Sequence, residues 1–423
     1  MKNQSLIPRQ YLWPFVLITS MFLAWGIANN MTDTLLAAFK KIMSMSDFQT
    51  TFVQYAFYGA YFCFAIPAAL LVKRFSYKTG VLLGLGMFIG GALLFYPASQ
   101  TMVYGHFLAA LYILAGGLSF LETSANPYIV AMGPEESGTQ RLNLAQSFNP
   151  VGSITGVVLS QLFILSNLNP ATETERAAMP AEQLAQIQSE ELGAVMGPYV
   201  GVAAVLFLLW LMIYFTRMPK ASDESEAFQF GRSAKRLLAN KNYVRAVLAQ
   251  FFYVGAQICI WSFTIRYAMR ELSINEEEAA TYYIISLVLF LVSRFICTAL
   301  MRFIQPARLL SILAALAMLL TLGAIWIDGM GGVVCLIGIS ACMSLMFPTI
   351  YGLGLRGLGP DTQLGGSGLV MAILGGALLT GIQGLISDAT GSIKISFYVP
   401  LICFLLVSLY GRFAERSARS LQP

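Results

Sequence analysis

Stretches of about 20 apolar residues, each enough to cross about 30 Å of hydrocarbon as helix, recur along this chain from Tyr11 to Arg412. Within hydrocarbon a backbone must satisfy its own polar groups, so only helices or closed barrels can span. The apolar runs are continuous and far longer than the roughly ten-residue alternating segments of a barrel, which excludes strands. Only 11% of residues are charged and the mean hydropathy is +0.69, where a soluble domain carries about a quarter charged residues. The chain therefore reads as an all-α polytopic membrane protein. Twelve spans are expected, at 12–38, 50–72, 79–98, 102–131, 143–166, 194–216, 245–270, 279–302, 308–327, 331–355, 364–388 and 394–412.

Cytoplasmic loops retain Lys and Arg, so the distribution of basic residues gives the orientation. With both termini in the cytoplasm, 19 of the 26 basic residues fall inside, including Lys73, Arg74, Lys78, Arg141, Arg232, Lys235, Arg236, Arg302, Arg308 and Arg356. Lys40, Lys41, Arg176, Arg270 and Lys394 fall outside, and Arg266 and Arg294 fall within spans. The net charge of +5 thus reflects topology and implies no nucleic-acid surface. Lys2 and Arg9 precede an apolar run, but that run is too long and lacks a small-residue cleavage pattern, so it reads as an uncleaved first span.

A polar break around 217–242 divides six spans from six. The expected organisation is an N-terminal six-helix bundle over 1–216, a cytoplasmic linker over 217–244 with a short amphipathic helix around Ala234 to Ala239, and a C-terminal six-helix bundle over 245–423. Internal repetition supports two equivalent parts. KRFSYK (73–78) after the second span resembles MRFIQPAR (301–308) after the eighth, and NPYIVAMGPE (126–135) resembles FPTIYGLGLRGLGPD (347–361). Duplicated parts around a midplane site are the architecture of many secondary transporters.

Several chemistries are excluded. No GxxxxGK phosphate loop is present, so nothing here hydrolyses ATP to drive transport. Gly352 to Gly357 fits GxGxxG but ends a membrane span with no strand before it. The sole histidine, His106, has no nucleophile or further ligand pattern near it, which argues against an enzyme. The six cysteines lie within spans without CxxC or loop pairing, so no metal, cofactor or disulfide is expected.

Two carboxylates, Asp33 and Glu122, stand well within spans. Ionisable side chains at that depth are costly and mark ion pathways by default. A carboxylate whose solvation changes as a cavity opens to one side and then the other can take up a proton and release it, which is what a proton symporter needs. The competing reading is a fixed ion pair with an arginine such as Arg294. Amides cluster near the acids: Asn29 and Asn30 just before Asp33, Asn126 one turn after Glu122, and Gln146 three residues before Asn149. A spacing of three or four places two side chains on one helix face. An amide both donates and accepts, as a sugar hydroxyl requires, although interhelical bonding would also explain amides in spans. Trp25, Tyr128, Tyr253 and Trp261 could stack on a pyranose ring, or serve as core and interface aromatics. The glycine pairs Gly80/Gly84, Gly86/Gly90 and Gly152/Gly156 suit close helix packing, and Pro67, Pro127, Pro150 and Pro348 mark kinks or breaks.

FLAWGIANNMTDTLL, LETSANPY, GPEESGTQRLNLAQSFN, YVGAQICIWSFTIRYA and FPTIYGLGLRGLG resemble the L-fucose:proton symporter branch of the major facilitator superfamily, from the first span to the last. The resemblance implies twelve helices in two pseudosymmetric bundles, alternating access, and a bacterial inner-membrane protein that works as a monomer on a monosaccharide and protons. It assigns Glu122 and Asp33 to proton coupling. It places Asn30, Gln146 and Asn149 at the sugar, and Asn29, Asn126, Gln257, Trp261 and Phe347 complete the expected substrate contacts. Phe347 stands where that branch carries a tyrosine, and Thr32 where it carries an asparagine. L-Fucose is the leading substrate, with another 6-deoxyhexose or an aldohexose next. Uncoupled or sodium-coupled hexose transport, and a non-transporting sensor, remain the alternatives.

Overall fold

A computed structural model describes the backbone of residues 6–42, 47–101, 103–164, 169, 175–176, 178–218 and 229–419; side chains at 32–42, 47–51, 54, 181, 185, 192–196, 276–277 and 418–419 lie outside the description. Among the described residues the regular secondary structure is helical. Its helices are α1 Leu12–Ile42, α2 Asp47–Arg74, α3 Tyr77–Thr101, α4 Tyr104–Ala131, α5 Gly138–Gln146, α6 Phe148–Phe163, α7 Ala181–Phe215, α8 Phe230–Ala239 and α9 Lys241–Leu272. They continue as α10 Glu276–Leu300, α11 Pro306–Trp326, α12 Met330–Met343, α13 Met346–Leu355, α14 Thr362–Met371, α15 Gly375–Thr390, α16 Ile393–Ser396 and α17 Tyr398–Arg419.

Among the described residues, eleven helical stretches are long and apolar enough to cross a membrane. The stretch read from sequence as a fifth span, 143–166, is instead two helices of 9 and 16 residues meeting at Ser147. Its amides and Pro150 are the physical cause, since they interrupt both the apolar run and the hydrogen-bond ladder. The tenth span breaks in the same way between Met343 and Met346, just before Pro348. Local signals set other helix ends. Asn240 and Asn275 cap α9 and α10 by accepting the N–H of Tyr243 at 3.1 Å and of Glu278 at 2.8 Å. Gly391 ends α15 at φ 64°, in the left-handed conformation that favours glycine.

The helices face two solvents. Leu208, Phe207, Ile296 and Leu385 point outward as large exposed apolar side chains, as a lipid-facing surface requires. Lipid tails are as apolar as leucine, so helices associate through close packing and interhelical hydrogen bonds. Gly152 and Gly156 let α6 lie directly on α1: a Cβ at Gly152 would fall 2.0 Å from the Leu23 carbonyl oxygen. Gly80 and Gly84 pack similarly on α4, whereas Gly90 has nothing within 4 Å, so the Gly86/Gly90 pair does not serve this purpose.

Along the chain, α1 packs on α6, α3 on α4 and α7, and α2 on α4. Later in the sequence, α9 packs on α15 and α17, α11 on α12 and α17, and α10 on α12. Contacts between these two sets join α5 to α13, α2 and α4 to α14, and α10 to α5 and α6. At one end, polar bonds tie the sets together. Lys73 Nζ donates to the Pro360 carbonyl at 3.2 Å, and Gln140 Nε2 donates to the Thr298 carbonyl at 3.2 Å. Asn143 Nδ2 donates to Thr349 Oγ1 at 3.1 Å, and the Gly357 N–H donates to Glu135 Oε1 at 2.9 Å. The repeated sequence segments around Pro134 and Pro360 thus meet at this end.

The amphipathic helix expected at 234–239 begins four residues earlier, at Phe230. It docks through buried Leu237 and through Arg236, whose Nε and Nη2 each donate to the Asp361 carboxylate at 2.7 Å. Arg141 is fully buried and holds the turn after α4 through the carbonyls of Ile129, Val130 and Pro134, with a further bond to the Leu6 carbonyl. Helix α7 spans 35 residues, about 52 Å at 1.5 Å per residue. It continues well beyond its apolar part, Gly197–Phe215. In that extension Glu191 takes two bonds from Arg176, at 2.9 and 2.5 Å, both side chains being nearly inaccessible.

Candidate functional site

A cavity of about 690 Å³ lies between the two sets of helices. Its position follows from the two broken helices. Gln146 is the last residue of α5, and Asn149 and Pro150 open α6, so the break that spoils the apolar run also delivers two amides to the cavity wall. Across from it, Phe347 opens α13 at the second break.

Of the residues expected from sequence, Asn29, Asn30, Glu122, Gln146, Asn149, Gln257, Trp261 and Phe347 line this cavity, together with Trp25. Asn126 does not. It is fully buried behind the wall, where Nδ2 donates to Glu122 Oε2 and Oδ1 accepts from Gln146 Nε2 at 2.8 Å. Its expected contact with substrate is corrected to a contact with the carboxylate, because both ends of its amide are already engaged by protein. Tyr128 is likewise buried away from the cavity, stacked on Tyr77 at 5.2 Å. Tyr253 sits behind Phe347 with its hydroxyl bonded to the Met343 carbonyl at 3.1 Å. The side chains of Asp33 and Thr32 lie outside the described residues.

The walls differ in chemistry. On the N-terminal side, Phe22 and Trp25 stack at 5.7 Å, and Asn149 Nδ2 donates to the Phe22 carbonyl at 3.3 Å, fixing that amide against α1. Asn29 Oδ1 is buried with no protein partner among the described residues. On the C-terminal side, Trp261 meets Phe290 edge to face at 5.1 Å and donates to Ser340 Oγ at 3.2 Å. Phe347 and Tyr351 stack at 6.2 Å. The arrangement offers amides for hydroxyls and ring faces for an apolar surface, which is the chemistry of a monosaccharide.

Arg294 also lines the cavity, and it has no ion pair among the described residues. Its Nε donates to the Ser344 carbonyl at 2.5 Å, its Nη1 donates to the Gln146 carbonyl at 3.0 Å, and its guanidinium lies 4.8 Å from the Phe290 ring centre. Glu122 and Arg294 are therefore not locked together, and the fixed-pair reading of Glu122 does not describe this state. Sequence reasoning also missed Tyr58, Tyr61 and Tyr283 on the wall; nothing in their local strings separates them from the many other tyrosines of the spans.

Residues 14–382 match the family described as Major Facilitator Superfamily. The chain belongs to the major facilitator superfamily. It is thus a member of a transporter family and not an enzyme. An L-fucose-proton symporter of Haemophilus influenzae is 42% identical over 420 residues, covering 97% of this chain and 98% of that one. A glucose/galactose transporter of Brucella abortus is 32% identical over 411 residues, covering 97% and 96%. Among solved structures of the superfamily, the E. coli fucose:proton symporter superposes with a TM-score of 0.91 at 40% identity, covering 96% of this chain and 99% of that one. The superfamily fold and the similarity to L-fucose-proton symporters agree with what the sequence strings imply.

Proposed function

We propose that this protein carries L-fucose or a closely related monosaccharide together with a proton across a bacterial cytoplasmic membrane, by alternating access. The observation that carries this reading is Glu122: a carboxylate at mid-helix depth, without a cationic partner among the described residues, on the wall of a cavity lined by amides and aromatic rings. Glu122 would accept the proton, with Asp33 as a second titrating or sugar-binding group. Asn29, Asn30, Gln146, Asn149 and Gln257 would bond the hydroxyls, and Trp25, Trp261 and Phe347 would cover the apolar face and methyl group of a 6-deoxyhexose.

Neutralising Glu122 removes one of two charges facing a low-dielectric cavity, the other being the Arg294 guanidinium held by backbone carbonyls, so a loaded, protonated cavity can close and reopen on the other side. The two moving bodies are residues 1–216 and 245–423, joined by 217–244. The end held by Lys73, Glu135, Gln140 and Gly357 carries most of the basic turns, which supports its assignment to the cytoplasm, with both termini on that side. The cavity then faces outward, and the similar FucP structure in the outward conformation superposes with a TM-score of 0.92. An aldohexose is the second substrate class, supported by the similarity to glucose/galactose transporters and by Phe347.

The test uses purified protein in liposomes with a weakly buffered exterior, to which L-fucose, L-galactose, D-arabinose, L-rhamnose, D-glucose and D-galactose are added in turn. External alkalinisation on one sugar, absent in Glu122→Gln, is expected. Entry of labelled sugar without a pH change for any of them would overturn proton coupling.

A further inference from the structure

Arg294 bonds two backbone carbonyls, and the sequence explains why those two are available. In an α-helix the carbonyl of residue i accepts the N–H of residue i+4. For Gln146 that residue is Pro150, and for Ser344 it is Pro348; proline has no N–H to give. Each of the two helix breaks therefore leaves one acceptor without its helical donor, one in each set of helices. Nη1 of Arg294 takes the first at 3.0 Å and Nε takes the second at 2.5 Å.

Gln146 is also the start of a directional chain. Its Nε2 donates to Asn126 Oδ1, so the other end of that amide, Nδ2, must face Glu122, where it donates to Oε2. With Oε2 occupied as an acceptor, a proton arriving on Glu122 is directed to Oε1. The geometry of the carboxyl group thus depends on the side chain of Gln146, and the backbone of Gln146 is held across the interface by Arg294.

We propose that Arg294 is a positioning residue of the proton site: it holds the proline-orphaned carbonyls of Gln146 and Ser344 and so fixes the backbone from which Gln146 aims Asn126 at Glu122. This rests on the reading of Glu122 as the proton carrier. Lysine at this position keeps the charge but lacks the rigid planar fork that serves two acceptors at once. Pro150→Ala gives residue 150 an N–H that can donate to the Gln146 carbonyl within the helix, competing with Arg294 while leaving Arg294 and the polar side chains of the cavity unaltered, and trims only the Pro150 ring from the wall.

Two rates are measured in proteoliposomes for wild type, Arg294→Lys, Pro150→Ala, Asn126→Leu and Pro67→Ala: labelled-sugar accumulation driven by an imposed pH gradient, and sugar counterflow without a gradient. Counterflow shuttles the sugar-loaded, protonated carrier back and forth and reports folding and binding, whereas accumulation also requires the proton to leave Glu122 in every cycle. Arg294→Lys, Pro150→Ala and Asn126→Leu are expected to lose about tenfold or more in accumulation, as misplacement of a reacting group by a fraction of an ångström to an ångström does, while counterflow persists. Pro67→Ala, whose freed carbonyl lies on α2 away from Arg294, is expected to accumulate like wild type. The proposal is overturned if Arg294→Lys or Pro150→Ala accumulates normally, since Arg294 would then act through its charge or not at all. Equal loss of both rates would also overturn it, by showing a structural role only. Failure of the wild type itself to accumulate would instead remove the proton-coupled reading, whatever the variants do.

Discussion

Gly352 of α13 lies against Thr139 of α5 so closely that a Cβ on the glycine would fall 2.7 Å from Thr139 Oγ1 and 3.0 Å from its Cα. The hydroxyl could rotate aside, but the backbone could not, so this contact limits how tightly the tied end can close. It sits one to two turns from Gly357, whose N–H donates to Glu135 across the same interface.

Gly352→Val is therefore expected to spread α5 from α13 and weaken the Gly357 bond. Hydrogen exchange at the Gly357 amide should quicken by about tenfold, equivalent to about 1.4 kcal/mol of local stability. Unaltered exchange there would mean that the contact does not govern closure.

Phe347→Tyr adds a hydroxyl beside the cavity, where the ring already packs between Tyr253 and Tyr351. One net hydrogen bond contributes about 0.5–1.5 kcal/mol, so the ratio of counterflow rates for two sugars differing at a single hydroxyl should change by about twofold to tenfold. A ratio that stays constant across the sugar panel would place position 347 outside substrate selection.

Asp361→Asn removes the negative charge and one of the two acceptors that dock α8 through Arg236. Arg236 is 51% exposed, so solvent screening limits the loss to about 1 kcal/mol. Cleavage by trypsin after Arg232 and Lys235 should then accelerate about fivefold. Wild-type cleavage kinetics in the variant would show that Leu237 packing is sufficient to hold the helix.

Glu191→Gln leaves Arg176 buried without its carboxylate. Breaking a buried pair costs about 3–5 kcal/mol, whereas removing both charges costs far less. The midpoint of thermal unfolding should fall by several degrees in Glu191→Gln and recover in Arg176→Met/Glu191→Leu. A double variant no more stable than the single one would assign the loss to packing.

Much of this molecule is legible in its sequence because the bilayer imposes simple rules. Apolar length locates the spans, and the cost of a buried carboxylate singles out Glu122. Amides three residues apart mark Gln146 and Asn149, although a helix break and not a shared helix face brings both to the cavity. What the sequence conceals depends on contacts between separate helices, 20 to 148 residues apart. Asn126 reads as a substrate ligand because one turn separates it from Glu122; only the arrival of Gln146 from another helix shows that its amide bridges two protein side chains. Arg294 reads as a partner for an acid because a lone cation in a span ordinarily needs one. Pro150 and Pro348 were visible as breaks, but not the fact that their orphaned carbonyls converge on one guanidinium.

That convergence has an electrical consequence. A cation and an anion facing the same poorly hydrated space would ordinarily collapse onto each other, and the resulting neutral couple could not load or unload a proton without first being pulled apart. Here two missing amide hydrogens leave carbonyl dipoles that take the place of a counter-ion. The guanidinium of Arg294 is held by peptide carbonyls, and Glu122 has no ion pair among the described residues. In this sense the two imino acids insulate the carrier from its own arginine.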